Sequence, residues 1–239
     1  MRLTALRALV LLACVVSVSC GGASDPTSPS PGAGGSGGSG GGGGSTGGGS
    51  ETFRITTPMS DSFFDDNDWD DFVETNASGS GSGGHLNFLG QAGAGYRQVN
   101  ISINGAASAS QLAVFAIHRQ TLTFPSEGAI LWIDYSESSL NQSTGGGVIQ
   151  YSAPAIRQNG KFYTLVPGGK AFTTPDTSWT DHPLAHLTQN DFRTLASPTD
   201  HPDFSRNGSR MEFGFMRLQV GPGTSKVGID NWRLTLFRD

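Results

Sequence analysis

The eight residues Tyr96–Ile103, Y-R-Q-V-N-I-S-I, put Val99, Ile101 and Ile103 on one side of the chain and Asn100 and Ser102 on the other. Successive side chains take opposite sides only in an extended strand, so this run predicts a strand with one face buried. Short runs of the same kind continue to the end of the chain, cut by Gly, Pro, Asn, Asp and Ser. Leu112–Ile117 and Ala129–Tyr135 are more continuously apolar, as strands buried on both faces are. Val148–Tyr151 and Lys161–Val166 are expected strands separated by Pro154 and the hairpin dipeptide Asn159-Gly160. Met211–Val220 and Lys226–Phe237 close the chain across Gly221-Pro222-Gly223. No window of eleven or more residues keeps a 3.6-residue period, and the best helical candidate, Leu187–Leu195, is short. About ten strands at about ten-residue spacing predict an all-β fold: a two-sheet antiparallel β-sandwich, or jelly roll. A parallel β-helix would need a short internal repeat, and there is none.

Composition divides the chain. Of its 35 glycines, fifteen lie between Gly21 and Gly49, where Asp25 is the only charge. A stretch of Gly, Ser, Pro, Ala and Thr cannot bury enough apolar area to offset its chain entropy, so residues 20–50 are expected to be a disordered tether. As a flexible coil, 30 such residues reach about 30 Å on average. The expected domain, residues 51–239, is long enough for a sizeable core. Without Arg2, Arg7 and Asp25 it keeps 13 basic against 19 acidic groups and has no basic run. Nucleic-acid binding needs clustered Lys and Arg and is not expected.

Residues 1–19 read as an export signal. Two arginines lie in Met1–Arg7, and Ala8–Val16 is an apolar run of nine residues, too short to span a bilayer. Ser17-Val18-Ser19-Cys20-Gly21 resembles the lipobox of bacterial lipoproteins, although Ser17 stands where Leu or Val is usual. Leu11-Leu12-Ala13-Cys14 matches that consensus better but leaves only Ala8–Ala13 as apolar core, so Cys14 is the alternative to Cys20. Both cysteines lie in this region, so the domain has no disulfide. The resemblance implies acylation of Cys20, a membrane anchor through the N-terminal lipid, and a place in the cell envelope. Gly rather than Asp after the cysteine implies the outer membrane or cell surface.

Two segments carry a second resemblance. Asp61-Ser62-Phe63-Phe64-Asp65-Asp66-Asn67-Asp68-Trp69 resembles the opening strand of secreted jelly rolls. Met211-Glu212-Phe213-Gly214-Phe215 and Gly228–Leu236 resemble the last two strands of carbohydrate-binding-module-like and concanavalin A-like domains of bacterial exported proteins. Such domains often hold a structural Ca²⁺. The resemblance implies Asp230 as one ligand, with Asp65, Asp66 and Asp68 as partners. Seven acidic groups within Asp61–Glu74 would favour a counter-ion through mutual repulsion. The alternative is a solvated acidic loop, and the EF-hand pattern is absent.

Catalytic patterns are thin. None of the domain's glutamates, Glu51, Glu74, Glu127, Glu137 and Glu212, forms the paired motif of concanavalin A-like glucanases. His182 and His186 bracket Pro183 with no Glu between them, which is not a zinc-protease helix. With His201 they read as loop histidines. Gly79–Gly84 and Gly145–Gly147 lack the Lys-Ser/Thr of a phosphate loop and read as turns or mobile loops. Sugar binding needs exposed ring faces beside polar groups. Trp179, in a polar loop, leads the candidates, with Tyr151, Tyr163, Tyr135, Arg157, Gln150 and Asn159. Trp69, Trp132 and Trp232 sit in apolar strands and are expected in the core. The expected function is non-catalytic binding of a polysaccharide or another extracellular ligand. The alternatives are a structural or adhesive envelope protein with a protein partner, and a glycan hydrolase.

Overall fold

In the computed structural model, residues 53–56, 58–87, 90–91, 95–105, 107–143, 148–174 and 177–239 are described. The expected signal, Cys20, the tether and Gly145–Gly147 lie outside them. The strands are β1 (Arg54–Ile55), β2 (Met59–Asp61), β3 (Trp69–Thr75), β4 (Gly79–Leu86), β5 (Tyr96–Ile103), β6 (Gln111–His118) and β7 (Ile130–Asn141). They continue as β8 (Ile149–Gln158), β9 (Lys161–Thr164), β10 (Phe172–Thr173), β11 (Thr180–Leu187), β12 (Met211–Val220) and β13 (Gly223–Arg238). Every pairing is antiparallel. A seven-stranded sheet A runs β11-β7-β13-β5-β4, with β1 and β2 also on β13, and a six-stranded sheet B runs β10-β8-β12-β6-β3, with β9 on β8. This is the expected two-sheet sandwich.

Alternation sets the inner face. Val99, Ile101 and Ile103 of β5 are buried, as are Trp232, Leu234 and Leu236 of β13 and Ile133 and Tyr135 of β7. Opposite them, sheet B contributes Trp69, Phe213 and Phe215. Trp69 packs edge-on against Trp232 at 5.3 Å, as the favoured aromatic geometry requires. β6 and β12 read as continuous apolar runs because their outer faces are also covered. On that side Phe115 stacks on Phe162 at 4.8 Å, and Phe72 meets the same ring at 4.9 Å.

Four expectations need correction. Gly79–Gly84 is not a loop but most of β4, the edge strand of sheet A. A Cβ on Gly81 would lie 2.5 Å from Val114 Cγ2 and 2.8 Å from Leu112, and one on Gly79 only 2.4 Å from the Ser102 carbonyl. These residues are glycine so that β4 can lie against sheet B, a use of close backbone approach that resembles a loop in sequence. Leu187–Leu195 is not helical. It contains a 3-10 turn, Gln189–Asp191, where the Asp191 carboxylate accepts from the Thr188 N–H at 2.8 Å and hydroxyl at 3.1 Å. Trp132 is not in the core. Trp69 and Trp232 are, but Trp132 lies on the outer face of sheet A, in a row with His186 at 5.0 Å and Phe237 at 4.7 Å. Pro154 does not end a strand either. β8 runs through it, between the stretch paired with β9 and the stretch paired with β10, an interval that tolerates a residue without an N–H.

Charge also sits inside the sandwich. Arg217 of β12 and Glu137 of β7 meet between the sheets at 2.8 Å, both side chains 0% exposed. The Ser152 hydroxyl donates to the same carboxylate at 2.8 Å, as does the Tyr135 hydroxyl. Burial, and then the Glu137 charge, hold the Tyr135 phenol well above its ordinary pKa, so it remains a donor. Removing one partner of a buried pair costs about 3–5 kcal/mol, whereas replacing both with apolar residues is often neutral. In urea unfolding, Glu137→Gln is therefore expected to destabilise by about 3–5 kcal/mol. Glu137→Leu combined with Arg217→Met is expected to recover most of that loss. A cost under about 1 kcal/mol for the single change, the size of an exposed pair, would mean that this contact does not hold the sheets together.

Candidate functional site

The expected ligand-binding residues do not converge. Trp179 is half-buried and packs edge-on against buried Tyr96 on the outer face of sheet A, at 5.5 Å, with its ring end over Gly228. Tyr163 is buried, and its phenol is raised by burial and by nearby Asp200. Tyr151 and Arg157 lie on the outer face of sheet B, six residues apart on β8 and so about 20 Å from one another. Arg157 pairs with Glu212 at 3.0 Å and covers the Phe72 ring at 4.8 Å. Tyr135 and Gln150 are buried. His182 and His186 are strand rather than loop residues, both on β11, with His182 stacked on Phe172 at 4.1 Å.

Each of the four expected calcium ligands is engaged by protein donors. Asp65 accepts from the Asn67 N–H at 2.9 Å, and Asp68 from the Gln120 amide at 2.8 Å. Asp66 accepts from Arg97 at 2.8 Å and from the His85 N–H at 3.0 Å. Asp230 takes the Gln91 and Asn231 N–H groups, both at 2.7 Å. Among the described residues no three His, Cys, Asp or Glu side chains are grouped to hold a metal. The acidic opening segment is neutralised from within: Asp71 takes Arg97 at 2.9 Å, Asp70 takes Arg119 at 2.6 Å, and Asp61 takes the Trp69 indole N–H at 2.7 Å.

A groove forms that no local sequence pattern announces. Three depressions on the outer face of sheet A, of about 530, 500 and 430 Å³, share walls. Ser136 and Pro183 line the first two, Arg233 the first and third, and Asn231 the second and third. Together they form a groove across β2, β13, β7 and β11. The bulge in β13 between Asp230 and Arg233 breaks its register with β7 and turns Asn231 outward. Arg233 sits opposite Ser60 on one side and Ser136 on the other. It is exposed, and no hydrogen bond or ion pair engages its side chain among the described residues. Asp134 and Asp181 supply acceptors along the walls, Asp134 fixed by the His186 N–H at 2.8 Å and Asp181 by the Ser138 hydroxyl at 2.5 Å.

At one end stands Phe63, 74% exposed, with no ring stacked on it among the described residues. It is pushed out by its neighbour. Phe64 is fully buried against Trp69 at 5.5 Å and takes a left-handed φ of 52°. The Asp61 carboxylate accepts from both the Phe63 and Phe64 N–H groups at 2.8 Å, which fixes the turn. Among the described residues, four non-glycine residues have positive φ: Phe64, Asn159, His186 and Asn231. Asn159 belongs to the hairpin turn; the other three border the groove. Such strain persists where the surroundings over-determine it, most often at functional sites.

Sequence reasoning missed Phe63, Asn231, Arg233 and Gln91. Two signals were present. Adjacent Phe63 and Phe64 cannot both point inward from an extended turn, and Trp232, Leu234 and Leu236 facing in force Arg233 outward. Gln91, whose amide accepts from Asn231 at 2.7 Å, carried no local sign.

No protein-family model matches this chain, and no curated protein does. Among solved structures, it is similar to a family 11 carbohydrate-binding module from Clostridium thermocellum in complex with a β-1,3-1,4-mixed-linked tetrasaccharide. Identity there is 13% over 77% of this chain and 94% of that one, with a TM-score of 0.43. A mannan-recognising carbohydrate-binding module, TmCBM27, is 11% identical over 79% of this chain and 99% of its own, with a TM-score of 0.40. A family 30 carbohydrate-binding module is 9% identical over 78% and 88%, also at 0.40. Likeness this distant bears on neither ligand nor site, which rest on the groove itself.

Because every expected calcium ligand is satisfied by protein donors, EDTA is expected to leave the melting temperature unchanged in a calorimetric scan. A fall of several degrees, reversed by Ca²⁺, would place a cation that these side-chain positions do not predict.

Proposed function

We propose that this domain binds carbohydrate non-catalytically in the groove on the outer face of sheet A, at the cell envelope, where an N-terminal lipid on Cys20 tethers it. The observation that carries the reading is the exposed ring of Phe63 beside the Arg233 guanidinium and the Asn231 side chain in one depression. A pyranose presents C–H faces that pack on an aromatic ring and hydroxyls that both donate and accept. Phe63 supplies the ring, Arg233 the donors and Asp134 and Asp181 the acceptors. Trp132 does not serve as the platform, because His186 and Phe237 occupy both faces of its indole. The non-catalytic reading is supported by the engagement of the carboxylates: Glu137 pairs with Arg217 and Glu212 with Arg157, while in the groove Asp134 accepts from the His186 N–H and Asp181 from the Ser138 hydroxyl. The paired carboxyls of a glycan hydrolase would have to face one another across a bound sugar.

Affinity electrophoresis against a panel of soluble polysaccharides identifies the ligand, and calorimetry then measures two variants. Phe63→Ala and Arg233→Met are each expected to weaken binding at least about tenfold, equivalent to about 1.4 kcal/mol, without changing the melting temperature. Unchanged affinity in both would remove the groove as the site.

For the tether, labelled fatty acid is expected to enter the wild-type chain and Cys14→Ala but not Cys20→Ala. Label lost only in Cys14→Ala would move the anchor to the alternative cysteine.

A further inference from the structure

The large apolar side chains left exposed among the described residues are Phe53, Ile55, Phe63, Val73, Leu86, Leu122 and Phe124. Four of these seven, Phe53, Ile55, Leu122 and Phe124, lie at one end of the sandwich. Hydrogen bonds tie that end together. Arg238 donates to the Phe124 carbonyl at 3.0 Å and the Gly128 carbonyl at 2.9 Å, and Arg54 donates to the Glu127 carbonyl. Thr123 bridges to Met211, which starts β12, while Ile55 pairs with Phe237 near the end of β13. The four side chains are 48, 61, 41 and 43% exposed in sequence order. Phe53 also rests on Trp132 at 5.3 Å and on Phe237 at 6.1 Å, so the apolar surface continues onto the outer face of sheet A.

Two further facts select the occupant. Residues 1–52, which include the lipobox-like Cys20, join the fold at Phe53, inside this patch. This end also carries no net negative charge in an otherwise acidic domain. Arg54, Arg206 and Arg238 lie here with Glu127 and Asp239, and Arg206 and Asp239 are paired at 3.0 Å. An apolar patch without net negative charge can approach a phospholipid surface that would repel the remaining faces.

We propose that this end of the sandwich is a membrane-contacting surface. Phe53, Ile55, Leu122 and Phe124 enter the boundary between headgroups and acyl chains of the bilayer that holds the N-terminal anchor. The surface is distinct from the groove and does not depend on its ligand. Covalent attachment at Cys20 would keep the domain near the bilayer at an effective concentration of about millimolar, so a weak surface affinity is enough to lay it down.

The test uses the chain from residue 20 onward with Cys20→Ser, so that no lipid contributes. The apolar core cluster runs from Phe64 to Leu236, clear of the truncation. Co-sedimentation with phosphatidylcholine vesicles, alone and with phosphatidylglycerol, is expected to show lipid-dependent binding. Phe53→Ser, Ile55→Ser and Phe124→Ser together are expected to lower the partition coefficient at least tenfold. Ile55→Lys alone, with an unchanged thermal melt, is expected to lower it at least threefold. Phe63→Ser, more exposed but at the groove, is expected to leave it unchanged. Absence of vesicle binding, or equal loss in Phe63→Ser, overturns the proposal. So does a concentration-dependent dimer, abolished by the triple change, in a chain that ignores lipid; that result assigns the patch to a second copy.

Discussion

A guanidinium and a carboxylate meet in the middle of this sandwich with no water-facing side, and the register of both sheets depends on that contact. Arg217 comes from β12 and Glu137 from β7. A two-residue slip in either strand keeps apolar residues facing inward but leaves one charge buried alone, which is far costlier than a mismatched methyl group. Fixing Glu137 inward also fixes Ser136 and Ser138 outward on the same strand, where both line the groove. The polar interior and the polar exterior are thus two sides of one register. Gln219 and Ser225, bonded at 2.5 Å beside the turn that joins β12 to β13, extend the same device towards the far end of the sandwich.

The sequence made the architecture readable wherever one periodic signal decided the outcome. Tyr96–Ile103 is a strand over its whole predicted span, and the Asn159-Gly160 hairpin forms with both residues at positive φ. Reading failed where a residue type serves two structural purposes. Glycine marks turns, but in β4 it removes side chains so that two sheet edges can close. Tryptophan marks cores, but Trp132 stands in an outward row whose members come from three strands. No local pattern reports that convergence. The groove was hidden for the same reason: Phe63, Gln91, Asp134, Asp181, Asn231 and Arg233 come from five separate segments, and only pairing brings them together. A reading that looked for rings in polar loops found Trp179, whose ring packs on Tyr96.

The acidic opening segment shows how a charge run can be met by the protein's own groups. A dense set of carboxylates ordinarily implies a counter-ion or a solvated loop. Here Asp66 and Asp71 take Arg97 from β5, Asp70 takes Arg119 after β6, and Asp61 accepts from the Trp69 indole at the start of β3. Arg97 is itself buried, with its guanidinium 5.9 Å from the Trp69 ring centre, so the acids bring a cation into the interior that could not be there alone. Such pairing reduces repulsion in a segment that must turn tightly, and it leaves the strained turn at Phe64 anchored on both sides.

The edge of sheet A has one more consequence. A strand of glycine and serine offers bare backbone along its open side, which is the geometry from which fibrils grow when another chain adds a strand. In β4 the N–H of Gly83 is taken by Asp71 at 2.6 Å and that of His85 by Asp66 at 3.0 Å, and Arg97 holds both carboxylates in place. The glycines that let the sandwich close therefore come with a lock on the template they create. That lock is a form of solubility written into the backbone.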